Sequence, residues 1–209
     1  FSKQLAYKFT FNTGVRVCPY CNRQFVFTVM NEDENVIRPE LDHFFPQSDY
    51  PLLALSYYNL VPSCHTCNSN IKRSEVMPIQ DYRHPYIQLK DDEKEFTFGY
   101  VPPSDQDRNT HITFEYNHES SKDKKTCEFF RLEKIYKEHN DVSNLLHQTY
   151  NDYPPKSFDH LCNHYNISKE DTLKMIYRPF QVSDPDNEIL GKLRNDLFNI
   201  VKKEYNVGV

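Results

Sequence analysis

The chain has no tryptophan and only 4 glycines in 209 residues. It also has no run approaching the roughly 18 apolar residues that a membrane-spanning helix needs. The last absence excludes an integral helical membrane protein, and the scarcity of glycine excludes collagen-like and low-complexity chains. No basic start followed by an apolar core and a cleavage site opens the chain, so export is not expected and a cytoplasmic location is. Phe1 stands where an initiator methionine would, so a leading segment is expected to be missing or trimmed. Residues 1–31 contain no acid at all, only Lys3, Lys8, Arg16 and Arg23. That stretch is a candidate basic face, although the net charge of −5 argues against a coat of nucleic acid over the whole surface.

Against these absences stand 15 Tyr and 15 Phe. So many large rings point to a packed core, not to disorder. The length allows one good core, or one core and a small module.

The cysteines carry the strongest pattern. Cys18-Pro-Tyr-Cys21 and Cys64-His-Thr-Cys67 have the same C-x2-C spacing. Two such knuckles supply four thiolates to one tetrahedral zinc. The spacer, residues 22–63, is longer than that of a short zinc ribbon, so further structure must fill it. The alternatives are two disulfides or plain thiols; without an export signal, disulfides are disfavoured. Cys127 and Cys162 have no such pattern and read as ordinary helix residues.

Hydrophobic periodicity orders the rest. Residues 4–11 read as a strand or arm, and Gln24–Val29 as a strand rich in β-branched and aromatic residues. Val36–Phe44 reads as a returning strand, with Pro39 forcing an edge or a bulge. Residues 45–58 read as a loop, 59–62 as extended and 66–74 as helical, with His84-Pro85-Tyr86 packing against this module. Two strands follow at Glu95–Val101 and His111–Tyr116. From residue 126 the pattern is helical, with Ser168 opening one helix and Ser183-Asp184-Pro185 the last. The expected fold class is α+β. A zinc-stapled module over residues 1–90 is followed by a β-containing segment over 91–125. A mainly helical region over 126–209 then offers a possible partner-docking surface.

Between the knuckles lies Leu41-Asp42-His43-Phe44-Phe45-Pro46, and later Asn59-Leu60-Val61-Pro62-Ser63 runs into Cys64-His65-Thr66-Cys67-Asn68. Asp42 and Asn68 are hard oxygen donors suited to magnesium or manganese. An imidazole beside them, His43, can take a proton near neutral pH. Together these predict phosphodiester hydrolysis: His43 activates water, and a cation on Asp42 and Asn68 steadies the leaving oxygen. Asn59 would pin the loop backbone near His43. Lys72 and Arg73, one turn on, would contact phosphate.

This order of features resembles the HNH endonucleases over residues 17–73. The resemblance implies a ββα-metal fold, His43 as general base, Asp42 and Asn68 as ligands of a catalytic Mg²⁺ or Mn²⁺, and Asn59 as the central asparagine. Asn68 departs from the histidine of many members, which leaves open whether His65 or Asn70 assists. The phrasing around the motif is similar to the HNH subunits of Septu-type bacterial anti-phage systems, sometimes carried beside retrons. That likeness implies a nuclease working with an ABC-type ATPase. The competing expectation is a zinc-stapled module that binds nucleic acid or protein and catalyses nothing.

Overall fold

A computed structural model describes residues 2–31, 34–87, 96–117 and 122–208. The fold mixes helices with small sheets, each two-stranded among the described residues. The chain forms two compact units that interleave along the sequence. One comprises residues 1–95, 116–132 and 186–190, the other 96–115, 133–185 and 191–209. The residue-90 boundary falls outside the described residues.

The first unit opens with helix α1, Lys3–Asn12, where a strand or arm was expected. Ser2 caps it by accepting from Leu5 N, and Ala6, Tyr7 and Thr10 make its buried stripe at helical spacing. Gln24–Val29 is also not a strand as a whole. Phe25 makes one bridge to Val17, and only Val29–Met30 forms β1. This strand pairs antiparallel with β2, Asn35–Ile37. Arg38-Pro39 then breaks the chain, because proline lacks the N–H a ladder requires. The next piece, β3 (Glu40–His43), therefore pairs elsewhere.

Its partner is β4, Leu60–Ser63, in an antiparallel register that sets Glu40 opposite Ser63 and His43 opposite Leu60. Every residue of β4 is buried. A π-helix, Thr66–Lys72, follows directly; Arg73 N bonds Asn68 O, the five-residue reach of that winding. Tyr86 and His84 close over this hairpin. The Tyr86 hydroxyl donates to Leu60 O at 2.7 Å, and the His84 ring lies 4.3 Å from that of Phe44. Residues 116–132 join the same unit through α2, Lys122–Phe129. Phe130 stacks on Tyr20 at 4.6 Å, and the Asp123 carboxylate receives the Arg83 guanidinium.

In the second unit β5, Phe96–Val101, pairs with β6, His111–Tyr116. These strands match the expected pair, except that Glu95 falls outside the described residues. Phe98, Phe114 and Tyr136 form a ring cluster on them. Tyr136 ends α3, Leu132–Tyr136. Helices α4 (Asn140–Asp152), α5 (Pro155–Tyr165), α6 (Lys169–Ile176) and α7 (Gly191–Glu204) complete the unit. Ser168 caps α6, accepting from Asp171 N as its sequence predicts. Pro185 does not open the last helix: α7 begins only at Gly191, and Pro185 packs against that start. Leu193, Leu197 and Val201 are the buried stripe of α7. Cys127 and Cys162 are buried helix residues. Among the described residues no helix is long and apolar enough to cross a membrane.

Candidate functional site

The two knuckles meet. The sulfurs of Cys18, Cys21, Cys64 and Cys67 all lie within 4.8 Å of one another, and all four residues are buried. A zinc ion bonded at about 2.3 Å to four tetrahedral thiolates spaces its sulfurs about 3.8 Å apart. The Cys21–Cys64 separation of 4.0 Å is close to that, and about twice a disulfide length. Cys67 N donates to Cys64 Sγ at 3.4 Å, so the turn itself aims its sulfur. Burial pushes the Cys18 thiol well up, while hydrogen bonds from Cys18, Cys21 and Cys67 pull Cys64 down. Protons and charge thus compete for one small volume. A metal ion such as zinc resolves that conflict by displacing the protons, so the donor set fits a metal.

The knuckles bracket the β3–β4 hairpin and its connecting loop. His43 ends β3, half-buried, with its Nε2 at 3.0 Å from Ala54 O in that loop. A carbonyl only accepts, so Nε2 carries a hydrogen, and in a neutral ring Nδ1 is then the nitrogen with the lone pair. Asn59 closes the same loop. Its Oδ1 accepts from Phe45 N at 2.7 Å, and its Nδ2 donates to Phe45 O at 3.0 Å and to Leu53 O at 3.1 Å.

Asp42 and Asn68 are not brought together on a shared vacancy. The Asp42 side chain is turned inward and is 2% exposed. Its Oδ2 accepts from the Tyr20 hydroxyl at 2.5 Å and its Oδ1 from Lys72 Nζ at 3.0 Å. Burial raises the Asp42 pKa, against the opposing pull of Lys72, Tyr20 and His43. Burial, followed by the Asp42 charge, also pushes the Tyr20 phenol up, so Tyr20 remains the donor. Asn68 instead gives Nδ2 to Glu40 Oε2 at 2.9 Å. Glu40 also receives His65 Nδ1 at 2.6 Å and Ser69 Oγ at 2.7 Å. Burial would raise the Glu40 carboxyl, but the bonds from His65, Ser69 and Asn68 outweigh it and hold the pKa below the usual range. A divalent cation at Asp42 would sit beside a buried ammonium and displace two hydrogen bonds. In this arrangement the Asp42–Asn68 pair does not fit a catalytic Mg²⁺ or Mn²⁺.

Lys72 is fully buried, not a solvated helix end poised for phosphate. Its charge faces Asp42, and its Nζ also reaches His43 O at 2.7 Å. Arg73, in contrast, is exposed and takes a positive φ of 53° as the chain leaves the π-helix. Three groups of the site escaped the sequence reading: Tyr20, Glu40 and the Ala54 carbonyl. Glu40 had a visible signal, because it lies two residues before Asp42 and alternation puts both on one side of β3. Tyr20 sits inside a knuckle, where the spacing pattern marks only the cysteines. The carbonyl of Ala54 carries no sequence signal.

Comparison with known proteins gives no match: no family model, no curated protein and no solved structure aligns with the chain.

Proposed function

We propose that this protein is an HNH-type endonuclease, hydrolysing phosphodiester bonds of DNA or structured RNA, with His43 as general base. What carries the reading is the 3.0 Å contact between His43 Nε2 and Ala54 O. The Ala54 carbonyl keeps the hydrogen on Nε2, and this leaves Nδ1 able to take a proton from water attacking phosphorus. The loop that supplies this carbonyl is tied by Asn59 at Phe45 and Leu53. A metal on the four cysteines would hold both ends of the hairpin and take no part in the chemistry. Exposed Arg73 is the residue left to meet phosphate. The resemblance adds an ABC-type ATPase partner and a cytoplasmic anti-phage role, and these belong to the same proposal; the magnesium or manganese it also implies does not, because Asp42 and Asn68 as arranged here do not fit it. The helical second unit is where such a partner would dock.

The test is a cleavage panel on duplex DNA, single strands and structured RNA, with magnesium or manganese, with and without the ATPase. General-base loss costs about 10²–10⁴-fold, so His43→Ala should lower the rate by at least about 100-fold. Cleavage that survives His43→Ala, with contaminating nucleases excluded, removes the reading.

One observation favours a second reading, a metal-stapled binding module without catalysis. Asp42 is engaged by Tyr20 and Lys72 and does not face a substrate. That reading gains if the chain binds nucleic acid or protein yet cuts none of the panel under any condition.

A further inference from the structure

We propose that Lys72 is a positioning residue for His43, an inference that rests on the hydrolytic reading above. A lysine with no exposed side-chain area is rare, and it persists only where its charge and its hydrogens are satisfied. Here Nζ donates to two acceptors on adjacent residues of β3. One is the Asp42 carboxylate at 3.0 Å, the other the His43 carbonyl oxygen at 2.7 Å.

The second bond is the informative one. Any acceptor could satisfy a second hydrogen of the buried ammonium, so the choice of acceptor is what matters. The reach to His43 O fixes the peptide that leaves the proposed general base, at the point where β3 ends and the loop begins. The His43 imidazole is held at Nε2 by Ala54 O, and its backbone lies opposite Leu60 of β4. Lys72 adds a third anchor, from the end of the helix that carries Cys67. Tyr20, inside the first pair, donates a hydrogen bond to Asp42. Both cysteine pairs therefore grip the strand end, and of the two only the second, through Lys72, bonds the peptide after His43, whose N–H side is held by Asn59 O at 2.9 Å. A displacement of about 1 Å in a reacting group costs on the order of 100-fold in rate.

The experiment uses the full chain with its metal and three variants: Lys72→Met, Tyr20→Phe and His43→Ala. Two readouts are taken, the kcat and KM of cleavage and the ¹⁵N spectrum of the His43 imidazole, assigned by its loss in His43→Ala. In the wild type the spectrum should show the Nε2–H tautomer. In Lys72→Met it should shift toward a mixture of tautomers, and kcat should fall about 100-fold with KM within about threefold. Tyr20→Phe removes a bond to the same carboxylate but leaves the His43 carbonyl alone. It should lower the melting temperature and keep the imidazole spectrum.

An unchanged imidazole spectrum in Lys72→Met overturns the proposal. So does an equal spectral change in Tyr20→Phe, which would mean general loosening. A lower magnesium requirement in Lys72→Met also overturns it, because it would mark an Asp42 carboxylate released to bind a cation. If Lys72→Met fails to fold around an uncompensated Asp42, the neutral pair Asp42→Asn with Lys72→Met gives the same spectral readout. Retention of the wild-type spectrum there sinks the idea as well. Since the spectrum needs no substrate, failure of the nuclease reading, seen as cleavage independent of His43, is distinguishable from failure of this one.

Discussion

The side-chain amide of Asn59 bonds both main-chain groups of Phe45, accepting from its N–H at 2.7 Å and donating to its carbonyl at 3.0 Å. With the further bond to Leu53 O, one nearly buried side chain replaces the ladder that residues 44–59 lack. The Ala54 carbonyl that orients His43 lies within the span so closed.

Asn59→Ala should therefore destabilise the protein by about 1–3 kcal/mol, because part-buried main-chain groups of Phe45 and Leu53 lose their partner. Asn59→Asp keeps the acceptor for Phe45 N and loses both donated bonds, so it should fall between. Urea unfolding at neutral pH ranks the three proteins; an alanine variant as stable as the wild type contradicts this account.

Removing a metal held by the four cysteines should undo the first unit. A structural zinc is worth roughly 10 kcal/mol of folding free energy at neutral pH. Cys21→Ala, or a strong chelator, should cost the bound ion and the protection of residues around β3 and β4. Metal analysis together with hydrogen exchange tests this. Exchange that is unaltered after the ion is gone would show that the cysteines staple nothing.

Gly191 begins α7 with no room for a side chain. A Cβ there would lie 2.4 Å from the backbone oxygen of Pro185. Gly191→Ala must push two main-chain segments apart, so a loss of about 1–3 kcal/mol is expected despite alanine's better helix propensity. A thermal melt that rises in the variant would mean that the Pro185 segment moves aside freely.

Stability should fall with acid through His84. Burial against Phe44 lowers its pKa, opposed by a backbone hydrogen bond with Tyr58. The unfolded chain, titrating near the ordinary value of about 6.5, then takes up a proton before the folded protein does. Stability is full above that value and is lost as pH drops below it, down to the lower folded value. The urea midpoint at pH 5.5 should lie below that at pH 7.5, and His84→Gln should flatten the difference over this window. An unaltered slope in the variant would place the effect on another group.

The cysteine cluster was legible because thiolate chemistry admits few uses for two C-x2-C pairs, and β5 and β6 because alternation is a local signal. The failures were non-local. Lys-Gln-Leu-Ala-Tyr-Lys-Phe-Thr mimics alternation, yet Ala6, Tyr7 and Thr10 are buried at helical spacing. Pro185 looked like a first helical residue, but its contact with Gly191 places it before the helix as a buttress. Ile-Lys-Arg at a helix end reads as solvated, and only the fold of β3 against the π-helix brings Asp42 and His43 O within reach of Lys72. Nor does a residue string tell an aspartate that binds a cation from one that answers a buried lysine.

The position of the cysteine pairs has a consequence for biosynthesis. A ribosome releases Cys18 and Cys21 first, and every residue of the hairpin follows before Cys64 and Cys67 emerge. Until then a newly arrived ion finds only half its donors, and the strand bearing His43 has no clamp at its far side. On the proposed reading the imidazole would be assembled only after the chain has both sulfur pairs and a metal supply, which would delay any reactivity until synthesis has passed that point.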